Sequence, residues 1–402
     1  MPNSERQTLP SEISFIGFAG ADWWYHNRAH SDFQILVRLA RNHPVLIVNS
    51  IGMRMPMPGR TSRFLYKIWR KLKSVLRFLR RPDASLPNLY VFSPLPFPFY
   101  HSKPARRFNA WFLRQQICAA AWLVGIRNPA IFITPPTAWP VVSKMDSRSL
   151  IYNRSDKHRL FAESDQTYIE QLENALFKHS DLILYVNGHL LREESEQTGD
   201  RAHLFDHGVD LDLFRLDGSA AEPADLQSIP KPRIGFFGSL RSYMVDFPLL
   251  CHVARNIPEA QLVLIGDTQD SIEEFDGIEN VHFLGFKEYA QVPHYGLHFD
   301  VALMPYRDNE WIRYCNPIKL KEYLALGLPT VSTDFPEAHR YQEHISIAKD
   351  ADDFVAKIRH VLGNAADNGS RTALRQVVEN ATWDSRVDEF LTMLDDVTKR
   401  QR

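Results

Sequence analysis

Short apolar runs alternate with helix-like patterns along the first half of the chain. The runs are a few residues long, as expected for strands buried on both faces of a parallel sheet. Six of them predict strands, at 13–18, 45–50, 89–94, 130–135, 150–153 and 182–187. Apolar residues with helical spacing predict helices at 31–43, 108–124 and 168–180. This alternation is typical of βαβ units.

The same alternation of apolar runs and helix-like patterns returns in the second half of the chain, after an interruption. Residues 216–232, LDGSAAEPADLQSIPKP, are rich in small residues, Pro and Gly and are predicted to be a linker. Strands are predicted beyond it at 233–239, 261–266, 281–286, 300–306 and 329–334. We therefore predict an N-terminal Rossmann-like domain at 1–215, a second one at 233–380, and a C-terminal helix at 381–402.

Composition changes this picture little. The chain of 402 residues has 44% hydrophobic and 24% charged residues, as globular proteins do. Its three cysteines, Cys118, Cys251 and Cys315, suggest neither a disulfide framework nor a CxxC metal site, so a reducing compartment is expected. The first residues are polar and the longest apolar stretches are too short to span a bilayer. We expect no signal peptide and a soluble or peripheral protein.

One segment departs from the balanced charge of the chain. Residues 60–81, RTSRFLYKIWRKLKSVLRFLRR, hold nine Arg and Lys and no acidic residue, although the net charge is −1. Their apolar residues recur every three or four positions, which predicts a basic amphipathic helix over 60–81 that Pro82 ends. Its predicted membrane contacts are Arg63, Lys67, Trp69, Arg70, Lys71, Arg77 and Arg80.

Two interpretations of this segment remain open. Anionic lipid attracts such a helix through charge and apolar insertion. Alternatively, the apolar stripe packs on its own domain and the basic residues are solvated. A calmodulin-like partner or a nucleic acid is disfavoured because no second basic patch accompanies the segment.

Candidate chemistry concentrates in NPIKLKEYLALGLPTVSTDFPE, residues 316–337. On a helix that begins near Pro317, Lys319 and Glu322 share one face. A lysine near a helix N-terminus suits a diphosphate, and a carboxylate one turn deeper can accept hydrogen bonds from two ribose hydroxyls. An ordinary ion pair on an exposed helix is the alternative. No GxGxxG follows either first strand, so a nicotinamide dehydrogenase is disfavoured.

This stretch resembles the nucleotide-sugar-binding helix of GT-B glycosyltransferases near the family-4 group. RIGFFGSL, LVLIG, NVHFLGFK, DVALMPY and HGVD resemble other motifs of that fold, and TWDSRVDEFL (382–391) resembles its C-terminal helix. The resemblance implies an α/β GT-B fold, in which two Rossmann-like domains face a central cleft and the C-terminal helix crosses back to the first domain.

The resemblance also implies a donor site. Lys319 corresponds to the diphosphate-binding lysine, Glu322 to the ribose-binding glutamate, and Gly238 with Ser239 to the phosphate loop. The full predicted donor set is Gly238, Ser239, Arg241, Phe286, Tyr306, Asn316, Lys319 and Glu322. Two positions depart from the family pattern, because Tyr314 replaces a second glutamate and Arg241 alone remains of an Arg/Lys pair.

A catalytic base is implied by LIYNRSD, residues 150–156. This segment resembles the one that carries the catalytic aspartate in the inverting GT-B glucuronosyltransferase of xanthan assembly, and Asp156 matches that aspartate. Inversion needs one carboxylate to deprotonate the acceptor. Because a lysine and a helix dipole stabilise the leaving group, no metal or other cofactor is expected. As the donor nucleotide, UDP is favoured over GDP.

Polar and aromatic residues crowd the loop after the first strand, where parallel sheets bind ligands. They suit a sugar acceptor, or else they cap and pack the neighbouring helix. The predicted acceptor residues are Asp22, Trp23, Trp24, His26, Arg28 and His30.

Together these features predict a cytoplasmic, peripheral glycosyltransferase at the inner face of a membrane. Its partners would be a nucleotide-sugar donor, a saccharide acceptor linked to polyprenyl diphosphate, and an anionic membrane surface, but no nucleic acid. A GT-B nucleotide-sugar epimerase is one alternative, which would need no acceptor. A non-catalytic, membrane-bound adaptor with a GT-B-like fold is the other.

Overall fold

The computed structural model describes residues 13–400 except 27, 51–68, 71–72, 98–101, 161–164, 217–220, 269 and 365–367. Fourteen strands lie in these ranges: β1 Phe15–Phe18, β2 Val45–Val48, β3 Leu79–Arg80, β4 Leu89–Phe92, β5 Ala130–Ile133, β6 Ser149–Arg154, β7 Leu182–Tyr185, β8 Ala202–Leu204, β9 Arg233–Phe237, β10 Gln261–Ile265, β11 Val281–Gly285, β12 Val301–Met304, β13 Thr330–Thr333 and β14 Ser346–Ala348.

Helices connect most of these strands. The α-helices are α1 Ser31–Leu39, α2 Lys103–Leu123, α3 Trp139–Val142, α4 Gln166–His179, α5 Gly188–Thr198, α6 Ala224–Gln227, α7 Phe247–Asn256, α8 Val292–Gly296, α9 Glu310–Arg313, α10 Ile318–Ala325, α11 Ala351–Gly363, α12 Asn368–Gln376 and α13 Trp383–Arg400. Short 3-10 helices lie at Pro136–Ala138, His158–Leu160, Gly199–Arg201, Glu273–Phe275, Tyr289–Gln291 and Ala338–Tyr341.

The strands form two sheets in two compact units. The first sheet has the order β3-β4-β2-β1-β5-β6-β7-β8 and is parallel except for β3, and the second has the order β11-β10-β9-β12-β13-β14. The first unit comprises residues 1–206 and 386–402, and the second comprises 207–385. The sequence analysis divides the chain at 215 and 380 instead. The predicted α/β class with two parallel sheets is confirmed.

The central strands are apolar because both of their faces are buried. In β1, β2, β5 and β7 every residue is buried, so no alternation of polar and apolar positions is left in the sequence. The eleven predicted strands are all present. The three missed strands, β3, β8 and β14, are two or three residues long and lie at sheet edges, where burial is too small to produce an apolar run.

The final helix contributes its apolar face to the first unit. Phe390 is fully buried on α13 and its ring lies 5.8 Å from that of Phe132 and 6.2 Å from that of Phe15. Both partners lie on strands of the first sheet. The helix begins at Trp383, within the second unit, and residues from 386 onward belong to the first.

Candidate functional site

The loop after β9 brings a glycine and a lysine together in the second unit. Gly238 has φ +144°, in the region that favours glycine, and a Cβ on it would lie 2.7 Å from Lys319 Nζ. Lys319 extends from the first turn of α10 and donates a hydrogen bond to the Tyr306 hydroxyl at 3.3 Å. The ammonium group therefore lies directly over the backbone of the predicted phosphate loop.

One turn further along α10 lies a buried carboxylate. Glu322 is 3% exposed, and its Oε1 accepts a hydrogen bond from the Tyr289 hydroxyl at 2.7 Å. Tyr289 begins the 3-10 helix after β11, and the sequence analysis assigns it no role. No sequence signal marks Tyr289, because it is 33 residues away from Glu322.

Burial changes the protonation of this pair. It raises the pKa of Glu322 to about 7, against the opposing effects of the Tyr289 hydrogen bond and the Lys319 charge. It lowers the pKa of Lys319, and the nearby Glu322 carboxylate opposes that shift. Burial also raises the pKa of Tyr306, so its hydroxyl stays neutral. Lys319 is therefore placed to meet an anionic group of a ligand, and Glu322 is placed to accept hydrogen bonds from hydroxyl groups of the same ligand.

The other predicted donor residues surround this group less closely. Arg241 lies 3.9 Å from Asp270 as an ion pair, and Ser239 is exposed beside Gly238. Phe286 is 53% exposed, while Asn316 is buried just before α10. Tyr314 is half-buried after α9. The described contacts thus bring together four of the eight predicted residues, Gly238, Tyr306, Lys319 and Glu322. Tyr289 holds Glu322 by a hydrogen bond.

Asp156 follows β6 in the first unit, at the carboxyl edge of the sheet. Its Oδ2 accepts a hydrogen bond from the Ser155 hydroxyl at 3.1 Å. Burial raises the pKa of Asp156 to about 6, and the nearby carboxylate of Asp32 adds to the shift, while Ser155 and Arg154 oppose it. A carboxylate with such a pKa is ionised at neutral pH and is a stronger base than an ordinary aspartate.

A buried ionic cluster holds the backbone next to Asp156. Arg154 is fully buried, forms an ion pair with Glu173 of α4, and donates to both carboxylate oxygens of Glu194 of α5 at 2.9 and 3.2 Å. It also donates to the backbone carbonyl of Asp156 at 2.7 Å. Arg154 has no role predicted from the sequence, although an arginine within an apolar strand is itself a signal.

Asp32, also unassigned by the sequence analysis, shapes the neighbouring loop. One of its oxygens accepts from the Gly20 amide at 2.9 Å and the other from the Phe33 amide at 2.8 Å, at the start of α1. The sequence does contain one signal, because an acidic residue in the first helical turn lies near the positive end of the helix dipole. Asp32 therefore joins the loop after β1 to α1 while raising the pKa of Asp156.

The six predicted acceptor residues divide into two groups. Trp23 is 3% exposed with its ring 5.1 Å from that of Phe33, so it belongs to the core. Asp22 accepts from the Trp24 amide and its own amide donates to His26 Nδ1, so it orders the loop. Trp24 is half-buried, and three residues are exposed: His26, Arg28 and His30. Of the six, these four are the ones placed to meet a ligand.

The basic segment differs from the helix predicted over 60–81. Residues 69–70 and 73–76 are helical, but the helix ends there, because residues 79–80 form β3 antiparallel to β4. This corrects the predicted helix end at Pro82. Arg63, Lys67 and Lys71 lie outside the described residues.

Two of its predicted membrane arginines instead contact the acceptor loop. The Arg77 guanidinium lies 4.4 Å from the Trp24 ring centroid, and that of Arg70 lies 4.6 Å from the Tyr25 centroid. Trp69 is 49% exposed and Arg80 is exposed on β3. None of the described helices is both long and apolar enough to cross a membrane.

Residues 231–364 match the family "Glycosyl transferases group 1". TuaH of Bacillus subtilis, which is itself assigned only by proposal as a teichuronic acid biosynthesis glycosyltransferase, is 25% identical over 265 residues. The match covers 61% of this chain and 66% of TuaH, so this chain spans just under two thirds of that protein's length. The sucrose-phosphate synthase of Thermosynechococcus elongatus superposes with a TM-score of 0.72 at 14% identity, covering 96% of this chain and all of that one. Anabaena HepE, in complex with UDP and glucose, gives 0.67 at 13% identity, with coverage of 96% and 100%.

These comparisons identify the class of protein. The chain carries a glycosyl transferases group 1 domain, is homologous to a Bacillus glycosyltransferase, and has the GT-B fold of two parallel-sheet units. The predicted family resemblance is confirmed for the domain at 231–364, and the homologous Bacillus protein supports the predicted enzyme class, a glycosyltransferase. The matched domain contains Gly238, Tyr289, Tyr306, Lys319 and Glu322.

Proposed function

We propose that this protein transfers a sugar from a UDP-sugar to a lipid-linked saccharide during the synthesis of a bacterial surface glycan. The observation that carries the proposal is the position of Lys319, whose ammonium group lies over Gly238 one turn before the buried Glu322. A diphosphate fits beside the lysine and the N-terminus of α10, and ribose hydroxyls fit the carboxylate. The UDP in the HepE complex and the teichuronic acid assignment of TuaH support this choice of donor and product.

The proposed reaction inverts the anomeric centre. Asp156 takes the proton from an acceptor hydroxyl, the resulting oxygen attacks the anomeric carbon, and the bond from that carbon to the diphosphate oxygen breaks. UDP leaves with the bonding electrons, and Lys319 with the α10 N-terminus stabilises its charge. Because these groups supply positive charge, we expect transfer to continue in the presence of EDTA.

The proposed acceptor site lies in the loop after β1. Trp24, His26, Arg28 and His30 are the members of that loop with accessible side chains. Arg70 and Arg77 of the basic segment stack on the neighbouring rings of Tyr25 and Trp24, so the acceptor loop and the basic segment form one continuous surface. This contact supports an acceptor presented at an anionic membrane, with the protein on the inner face.

Replacement of the leaving-group lysine tests the proposal. Lys319→Ala should lower turnover more than it weakens UDP binding, because charge on the diphosphate grows in the transition state. The matched control is Lys349→Ala, an exposed lysine in the same unit, which should leave both unchanged. Transfer from radiolabelled UDP-sugars to a short water-soluble acceptor measures turnover, and calorimetry measures UDP binding. Full activity of Lys319→Ala would refute the donor assignment.

The same assay separates the alternatives. An epimerase would convert the UDP-sugar without an acceptor, and an adaptor would not consume it at all. Acceptor-dependent release of UDP, with inverted anomeric configuration in the first product seen by proton NMR, is the expected result. Retained configuration would remove Asp156 from the role of base.

A further inference from the structure

Helix α2 presents an apolar face to solvent, which is unusual for a surface helix. Phe108 is 46% exposed, Trp111 48%, Trp122 64% and Leu123 60%. The buried side of the same helix includes a polar residue, Asn109. Contacts within the described part of the chain thus leave about half or more of each of these four side chains exposed to solvent.

Hydrogen bonds hold the segment after β4 against α2. The Gln116 side chain exchanges hydrogen bonds with both the amide and the carbonyl of Leu95, each at 3.0 Å. Asn109 accepts from the Phe97 amide at 2.8 Å, and the Phe97 ring lies 5.2 Å from that of Phe108. The segment after β4 therefore lies along α2. It adds Leu95, which is 48% exposed, to the same surface.

This surface continues into the basic segment. Ser93, two residues before Leu95, donates its amide proton to the Phe78 carbonyl at 2.8 Å. Phe78 is 55% exposed and Leu76 is 80% exposed. Because two residues span less than about 7 Å, Leu95 and Phe78 lie near one another at the end of β4. The exposed apolar residues of both elements form what we call the α2 surface: Leu76, Phe78, Leu95, Phe108, Trp111, Trp122 and Leu123.

Charge identifies the occupant of the α2 surface. Residues 33–145 hold eighteen Lys and Arg, of which Arg38 is buried, and a single acidic residue, Asp83. On α2 itself the four charged residues are all basic: Lys103, Arg106, Arg107 and Arg114. A second copy of the chain would meet the same positive charge, and nucleic acid would leave Leu76 and Leu123 in water. Anionic lipid satisfies both the cations and the aromatic side chains.

We infer that the α2 surface docks on an anionic bilayer, so that the membrane contact extends well beyond the basic segment 60–81. This inference rests on the proposed function, since it names the surface through which a lipid-linked acceptor is reached. On this inference the four basic residues of α2 form a second basic patch, which was not expected from the sequence.

Vesicle binding tests the inference separately from catalysis. The test variants are Phe108→Ser/Trp111→Ser and Trp122→Ser/Leu123→Ser, and the matched control is Leu204→Ser, an apolar residue 43% exposed on β8 of the same unit. The probes are phosphatidylcholine vesicles with one third phosphatidylglycerol, and pure phosphatidylcholine vesicles. At high salt each double variant should bind the anionic vesicles on the order of tenfold less than the unaltered protein and the control.

A second readout locates the contact. Brominated lipid should quench the tryptophan fluorescence of the unaltered protein, and Trp111→Phe/Trp122→Phe should reduce that quenching. Equal sedimentation of all variants, or a concentration-dependent dimer that Phe108→Ser/Trp111→Ser abolishes, would overturn the inference. Failure of the proposed function is distinct: the protein would then bind vesicles through the α2 surface yet transfer no sugar to a water-soluble acceptor.

Discussion

Each unit of this protein holds a cation near its candidate site, Arg154 in the first and Lys319 in the second, and the two cations are compensated to different degrees. In the first, Arg154 is surrounded by Glu173, Glu194 and a backbone carbonyl, so its charge is neutralised within the protein. In the second, Lys319 forms a hydrogen bond with a neutral tyrosine, and no ion pair within the described residues includes it. A compensated buried charge holds structure in place, whereas an incompletely compensated one is available to a ligand.

Asp156 combines a contact to a compensated buried charge with a carboxylate that is itself available to a ligand. Its backbone carbonyl is held by the neutralised Arg154, while its own carboxylate has a pKa raised to about 6. The rigid cluster thus positions a reactive group. The comparison predicts that substitutions in the cluster reduce stability and that substitutions of the poised groups reduce activity.

Replacing Asp156 should have the largest effect. Asp156→Asn is nearly isosteric but cannot accept a proton, so turnover should fall about 10²- to 10⁴-fold while UDP binding is unchanged. In the unaltered protein the base is active only when ionised, so turnover should rise as the pH increases through about 6 and then level off. Steady-state rates between pH 5 and 8 measure both effects. A small loss of turnover would show that another group is the base.

Replacing Arg154 should reduce stability strongly. Arg154→Leu leaves Glu173 and Glu194 buried without their cation, which typically costs about 3–5 kcal/mol of unfolding free energy. Lys319→Leu should not produce such a loss, because it removes a half-buried charge that has no ion pair among the described residues. Denaturant unfolding of both variants measures the difference. Equal destabilisation would contradict the contrast between the two units.

Glu322 should contribute to nucleotide affinity by a smaller amount. Glu322→Ala removes a charged acceptor and should weaken UDP binding by about 1–3 kcal/mol. Because the pKa of Glu322 is raised to about 7, its carboxylate ionises as the pH increases through that value, and affinity should increase from pH 6 to 8. Calorimetry should find this pH dependence absent in Glu322→Gln. If the pH dependence persists in that variant, Glu322 does not contact the nucleotide.

Tyr289 should show the smallest effect. Its hydrogen bond lowers the pKa of Glu322, so Tyr289→Phe should move the pH midpoint of UDP affinity to a higher value. Loss of one hydrogen bond should weaken binding by about 0.5–1.5 kcal/mol at neutral pH. Tyr243→Phe, an exposed tyrosine of the same unit, is the control. An unchanged midpoint would mean that Tyr289 does not influence Glu322.

Much of the fold follows from the sequence alone. Strands of a parallel sheet are buried on both faces, so each appears as a short apolar run, and all eleven such predictions are present. The helix with Lys319 and Glu322 is likewise local, because residues three apart on one helix share a face whatever surrounds them. The apolar runs and the shared helix face both depend on the spacing of residues along the chain, and that spacing can be read from the sequence.

Tertiary structure decided the features that depend on distant partners. Arg154 meets Glu173 and Glu194 from 19 and 40 residues away, and no periodicity relates those positions. The helical wheel over 60–81 places Leu76 on the apolar stripe and Arg77 on the opposite, basic arc, but it does not show that Leu76 is 80% exposed or that Arg77 stacks on Trp24. A wheel gives the angle between side chains on one helix, whereas the direction that each one faces depends on which distant segment packs against it.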